Sequence, residues 1–392
     1  MLSQRQLFLL NTAQTSDSPR SLEITSAEGI YLVDTRGQHY IDLVSGFAVS
    51  NVGHRHPKVV QAIKDQADKF LHVTVYGEYI QSPQVSFAVK LCSILPPTLN
   101  SVYFVNSGTE ATEGAMKLAK RFTGRSEIVS CINSYHGSTQ GALSLMGNEH
   151  YKQAYRPLLP GVRFMRFNEI EDLEQISMET AAVFLETIQG EAGVIVPSRE
   201  YMQALRKRCH DTGALLVLDE IQTGFGRTVK LFGFEHFDIV PDILLLAKGM
   251  GGGMPIGAFI ADKTIMDAFK ENPILGHITT FGGHPVSCAA GLAALNVLLD
   301  ENLTASVAAK EKLFRECLQH PKIKEIRGKG MLLSVQLSSF AEVEKVSKSC
   351  VEKGLIVDWF LHNETSLRIA PPLIINEANI REACSILIEA LN

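Results

Sequence analysis

Two short runs of this chain are apolar from end to end, and each stops abruptly at a charged residue. Ala214–Leu218 ends at Asp219, and Ile243–Ala247 ends at Lys248. A strand with one wet face alternates apolar and polar residues. A strand with no polar alternation must be buried on both faces, which in practice means a mainly parallel sheet covered by helices. The surrounding text agrees. Ser101–Val105, Glu127–Ile132 and Ala181–Leu185 read as further strands, separated by helical patterns at Glu110–Phe122 and Arg199–Thr212. The helix Glu110–Phe122 carries Ala111, Ala115, Leu118 and Ala119 at helical spacing.

The chain is 392 residues long and 45% apolar, too long for one compact core. Its ends read differently from its middle. Residues 29–44 form a hairpin about the turn Asp34–Gly37. A loop containing His54 and His56 follows, then a helix with Val59, Val60, Ile63 and Ala67 on one face. After residue 289 come a long helix, Ser287–Asp300, a second one, and a strand at Gly330–Leu337. A helix, a strand near Leu355–Asp358 and the final helix Glu377–Leu391 complete the chain. The expected organisation is a large domain over residues 51–289 and a smaller α+β domain. The latter is built from residues 290–392 and the N-terminal segment 1–50. The N-terminal hairpin is expected to pack with the small domain rather than with the central sheet.

The net charge is −5 and no basic run of five residues occurs, which argues against nucleic acid or an acidic membrane as partner. Seven scattered cysteines, odd in number and without a Cys-x-x-Cys, suit reduced thiols in the cytoplasm. The N-terminus lacks the pattern of a signal peptide, and no apolar run reaches the roughly 18–20 residues needed to span a bilayer. No histidine spacing suggests a metal site. His54 and His56 read as structural or as part of a site wall.

In open α/β sheets ligands bind beyond the carboxyl ends of the strands. Asp219 and Lys248 lie there, 29 residues apart, room for one excursion and a return strand to the same sheet edge. Asn106-Ser-Gly-Thr-Glu-Ala111 links a strand to a helix whose N-terminus is a ready anion site. Taken singly, Asp219 and Ser107 or Thr109 could be helix caps, and Lys248 an edge residue. Glycines 249 and 251–253 leave backbone room for a ligand beside Lys248. Together an amine, an acid and a phosphate cradle meet the demands of pyridoxal phosphate (PLP): aldehyde, pyridine nitrogen and phosphate. No G-x-G-x-x-G or Walker sequence competes.

These residues resemble the class III aminotransferases, the ornithine, acetylornithine and 4-aminobutyrate type among fold-type I PLP enzymes. The resemblance runs from about Gly29 to Leu391. It implies a seven-stranded, mainly parallel sheet and a ping-pong Schiff-base mechanism. The donor would be an ω-amine of the acetylornithine or ornithine kind, and the acceptor a keto acid such as 2-oxoglutarate. By the resemblance, Ser107, Gly108 and Thr109 hold the phosphate. Tyr135, in the block with His136, stacks on the ring. Asp219 binds the ring nitrogen, Gln222 reaches its 3′-oxygen, and Lys248 carries the Schiff base. Thr280 reaches the cofactor of a partner subunit, which implies a homodimer with shared sites. Arg368 takes a substrate carboxylate, and Glu191 covers Arg368 when an ω-amine binds.

The chain departs from the family pattern at three places: Thr187 where proline is usual, His284 where asparagine is usual, and Ser138 where an arginine usually follows His-Gly. The last bears on substrate, because that arginine grips a distal carboxylate. Arg55 or a loop lysine could take its place. The alternatives are another PLP reaction on the same scaffold (an aminomutase or a decarboxylating transaminase) or a PLP-binding protein without turnover.

Overall fold

The computed structural model describes residues 2–392. Its centre is a seven-stranded sheet in the order Ser101–Val105, Gly257–Ala261, Ile243–Leu246, Leu215–Asp219, Thr180–Glu186, Glu127–Cys131, Val162–Met165. Gly257–Ala261 alone runs against its neighbours. The apolar runs are explained by what they touch. Val183, Leu185, Leu216, Leu218, Leu244 and Leu246 belong to one core cluster, while the alternating residues Ala182, Phe184, Leu215, Val217, Ile243 and Leu245 belong to another. Successive side chains leave a strand on opposite faces, so both faces of this sheet are dry.

The helix Gly108–Thr123 covers one face. Ser107 caps its start by accepting from Glu110 N, and Gly124 ends it in the left-handed region. A Cβ at Gly114 would lie 2.3 Å from the Phe259 ring, so this helix sits on the sheet closer than any side chain would permit. On the other face the helix Pro285–Asp300 is apolar nearly all round and packs against Pro57–Ala67.

Two four-stranded sheets complete the fold. One holds Ile24–Glu28, Tyr31–Asp34 and His39–Asp42 with Leu355–Ile356 paired parallel to the last. The N-terminal hairpin therefore joins a C-terminal strand, as expected. The other holds Glu325–Lys329, Leu332–Gln336, Asn363–Ile369 and Asp358–Phe360.

Several details differ from the sequence reading. The run near Leu355–Asp358 is two strands, one in each small sheet, with buried Val357 between them. Gly330–Leu337 belongs to a hairpin that turns at Gly330, whose φ is +62°. On the helix Pro57–Ala67 the inward positions are Val59 and Gln66, and Ala67 is exposed. Gln66 is tolerated inside because its amide donates to Phe70 O. Residues Ser45, Gly46, Phe47 and Ala48 all have positive φ, between 48° and 65°, and form one left-handed turn. Asp42 holds it by accepting from Val44 N and Ser45 N, and Ser45 Oγ donates to Ala370 O. Among the described residues no single helix is long and apolar enough to cross a membrane.

Candidate active site

The strand ends converge as the sequence reading expected. Asp219 lies at the carboxyl end of Leu215–Asp219, and the strand beside it, Ile243–Leu246, leads through Ala247 to Lys248. Asp219, Lys248, Ser107, Gly108, Thr109, Tyr135, His136, Ser138 and Gln222 all border one cavity of about 540 Å³. A second cavity of about 1080 Å³ adjoins it and is bordered by Glu191 and Arg368. Lys248, Tyr135 and Ser138 border both, so the lysine stands at the junction.

Lys248 adopts φ +48°, an uncommon left-handed conformation for a lysine. Such strain costs roughly 1–3 kcal/mol and persists where the surroundings enforce it. Burial draws its ammonium down to about 8, with Glu191 and Asp219 opposing and Arg368 assisting. Asp219 is buried, and each of its oxygens has one partner. One oxygen takes His136 Nδ1 at 2.8 Å, and the other accepts from Ile221 N at 2.9 Å. Burial disfavours a charged His136, but the hydrogen bond and charge of Asp219 outweigh it and raise the imidazole above its ordinary value.

Glu186 ends the next strand, accepts from Tyr135 N and Gly190 N, and is pushed up to about 8 by burial. It borders the first cavity, and the sequence reading gave it no role. The signal was present, because Glu186 terminates Ala181–Leu185 in the same way that Asp219 terminates its own strand.

In the second cavity Arg368 is 1% exposed. Its Nη2 donates to Glu191 Oε2 at 2.7 Å and its Nη1 to Gln222 Oε1 at 3.3 Å. Gln222 Nε2 donates to Glu191 Oε1 at 2.7 Å, closing a triangle. Gln222 thus borders the first cavity while bonding Arg368 and Glu191 in the second, with one Nε2 hydrogen left over. Leu361 N also donates to Glu191 Oε2, at 3.0 Å. Burial opposes ionisation of Glu191, yet Arg368 pulls it down to about 2. The Arg368 guanidinium lies between two rings, 5.1 Å from the centre of Phe47 and 4.4 Å from that of Phe360. Its Nε is buried without a partner among the described residues.

Other positions fall elsewhere. Thr280 is exposed and borders neither cavity. Arg55 pairs with Glu28 at 3.7 Å, away from both cavities, and among the described residues no lysine besides Lys248 borders them. His54 bonds Asp42 at 2.8 Å and His56 approaches Glu301 at 3.6 Å, both outside the cavities. His284 stacks on His72. Thr187 donates to the buried carboxylate of Glu220. The glycines after Lys248 serve packing more than ligand room. A Cβ at Gly249 would meet Asn51 at 2.7 Å and one at Gly252 would meet Ala294 at 2.9 Å, while Gly253 alone of the four borders the cavity. Among the described residues no cluster of metal-type side chains occurs.

The family model for "Aminotransferase class-III" matches residues 12–391. The chain belongs to the class III aminotransferases. It is similar to the acetylornithine aminotransferase of Caldanaerobacter subterraneus subsp. tengcongensis, with 41% identity over 100% of this chain and 99% of the relative. The acetylornithine aminotransferase of Methanopyrus kandleri is 38% identical, over 94% of each chain. Among solved structures, the ornithine aminotransferase of Toxoplasma gondii superposes with a TM-score of 0.91 at 30% identity. That match covers 98% of this chain and 92% of that one, whose active site holds PLP at partial occupancy.

This aminotransferase is accordingly a PLP-dependent enzyme that moves an amino group from an amine donor to a keto acid. Its first cavity fits the coenzyme. The first N–H groups of the helix Gly108–Thr123 have no helical partners, and Ser107, Gly108 and Thr109 border the cavity at that end. A Cβ at Gly137 would lie 2.2 Å from Thr109 Oγ1 and one at Gly108 would lie 2.7 Å from Ile221, so side chains at either position would close the cradle.

Proposed function

We propose that this aminotransferase binds PLP in the first cavity with its aldehyde on Lys248, and binds its substrates in the second. The observation that carries this reading is the position of Lys248 at the junction of the two cavities, next to Asp219 on the neighbouring strand. Ser107, Gly108 and Thr109 would hold the phosphate at a helix N-terminus. Tyr135 would cover the ring and Asp219, braced by His136, would keep the ring nitrogen protonated. Gln222 would reach the ring's 3′-oxygen. When bound, PLP supplies an electrophilic carbon for the donor amine and a cationic ring that takes up the electron pair of a broken C–H bond. The Lys248 amine, drawn down to about 8, is free in part at neutral pH. Once the donor amine has displaced it from the aldehyde, this amine of Lys248 would be the base that accepts the proton of the donor carbon and gives it back.

Arg368 would bind the acceptor's carboxylate through a bidentate pair. Glu191 would close over Arg368 when the donor presents an ω-amine instead. Ser138, at the border of both cavities, would lie beside the substrate. The names of the two curated relatives support an acetylornithine- or ornithine-like donor, and 2-oxoglutarate is the acceptor we propose. A panel of amines assayed against 2-oxoglutarate and pyruvate tests this. Each accepted amine should release its carbonyl product stoichiometrically before the acceptor is added. Release only when both substrates are present together would refute a ping-pong transfer.

We propose a cytoplasmic homodimer in which Thr280 reaches the partner's cofactor. An exposed apolar group near it in sequence, Ile278 and Phe281, and a second at Tyr76, Tyr79 and Ile80 support a subunit contact. Seven free cysteines suit a reducing compartment. Residues 51–289 would form the large domain, with 1–50 and 290–392 the small one.

A further inference from the structure

The segment between the helix Gln4–Asn11 and the strand Ile24–Glu28 has no regular structure, yet Thr15 within it borders the second cavity beside Asp358 and Trp359. Arg20 fastens this segment. Its Nη2 donates to Ser347 Oγ at 2.8 Å and to Asp358 Oδ1 at 3.2 Å, and its guanidinium lies 5.6 Å from the centre of the Trp359 ring. Asp358 also accepts from Trp359 N, and Trp359 O accepts from Arg368 Nη2 at 3.4 Å.

Of the side chains bordering this cavity, Arg368 is cationic, Lys248 carries the coenzyme on the proposed reading, and Glu191 and Asp358 are anionic. Glu191 is balanced by Arg368. Asp358 is balanced from outside the cavity wall, by Arg20, and the two side chains are only 25% and 32% exposed. A carboxylate arriving at Arg368 displaces Glu191 and brings a second negative charge into the space. An unmasked Asp358 would add a third.

We propose that Arg20 masks Asp358, and so sets the preference of this cavity for carboxylate-bearing over dicationic substrates. The inference rests on the reading of the second cavity as the substrate site. Arg20 is a positioning residue, acting through Asp358 on charge and through Trp359 on the wall.

The test uses the holoenzyme and the variant Arg20→Met, which keeps an apolar stem against Trp359. At low salt the KM for pyruvate should rise about tenfold, while that for 1,4-diaminobutane should fall severalfold. High salt should shrink both changes. The double variant Arg20→Met/Asp358→Asn should return both toward wild type. Calorimetric binding of glutarate, which carries no reacting group, should weaken in Arg20→Met and recover in the double variant. A loosened wall would shift both substrates in the same direction, and Asp358→Asn would not undo it; either result overturns the proposal. Glutarate that binds wild type and Arg20→Met alike, or binds neither, also overturns it. If wild type transfers no amino group from any amine while glutarate still follows Arg20, the proposed function fails and this inference stands.

Discussion

Replacing Glu191 by glutamine removes one charge from the triangle with Arg368 and Gln222 and changes almost no volume. Burial opposes ionisation, but Arg368, helped by Lys248 and Leu361 N, takes the Glu191 carboxyl from its ordinary value of 4.5 to about 2. At roughly 1.4 kcal/mol per pH decade, that displacement corresponds to about 3 kcal/mol favouring the ionised carboxylate in place, an upper bound on what holds it against Arg368. Both side chains are buried, so solvent screens little of it. On the proposed roles, an incoming carboxylate would have to displace Glu191 before Arg368 could receive it. Glu191→Gln should therefore lower the KM for a 2-oxo acid, by up to about a hundredfold if the whole term is recovered. It should also leave Arg368 with an uncompensated buried charge, which costs roughly 3–5 kcal/mol. The melting temperature should fall and be restored by a saturating dicarboxylate that takes the place of Glu191. Steady-state kinetics and thermal melts with and without glutarate read both effects. The wild-type pair gives its full stabilisation above about pH 4.5, because the folded carboxyl is depressed, and loses it as pH falls towards 2. A variant with unchanged KM, or one whose lost stability no carboxylate restores, refutes the gate.

Lys248→Ala should yield no borohydride-trapped coenzyme adduct on the chain by mass spectrometry, with turnover reduced at least about 10³-fold; an adduct at another lysine would reassign the site. Asp219→Ala should also lose at least about 10³-fold in turnover, since the ring nitrogen would no longer be held protonated; a near-normal rate counts against its role. Ser138→Arg should improve the use of 2-oxoglutarate, read as a lower KM, and unchanged constants tell against position 138 as a substrate contact. Capture of PLP by the apoenzyme should accelerate with rising pH and level off above about 8, where Lys248 is free amine, as followed by visible absorbance. A plateau shifted to the ordinary lysine range would mean that burial does not depress this amine.

The centre of the fold was legible because burial on both faces leaves a plain mark: Leu215–Asp219 and Ile243–Leu246 contain no polar alternation. Gly257–Ala261 escaped notice because glycine and alanine carry little strand preference, although it lies between Ser101–Val105 and Ile243–Leu246. Asn363–Ile369 was missed for a related reason, since its first half is polar and only Ser366–Ile369 is buried. Lys248 and Asp219 stood out as charges at the ends of apolar runs, and the same rule applied to Glu186 would have found it. Phe47 could not have been found this way. Its place beside Arg368 depends on four successive left-handed residues, a conformation that no side-chain pattern announces.

Two rings, Phe47 and Phe360, stand beside the Arg368 guanidinium. On the proposed roles, a guanidinium held beside two rings would exchange Glu191 for a substrate carboxylate within the same buried place. The rings would stay beside the cation through that exchange, and each half of the cycle would begin from an arginine that is already out of water. A site that meets an amine and then a keto acid in alternation would thereby keep one receptor for both.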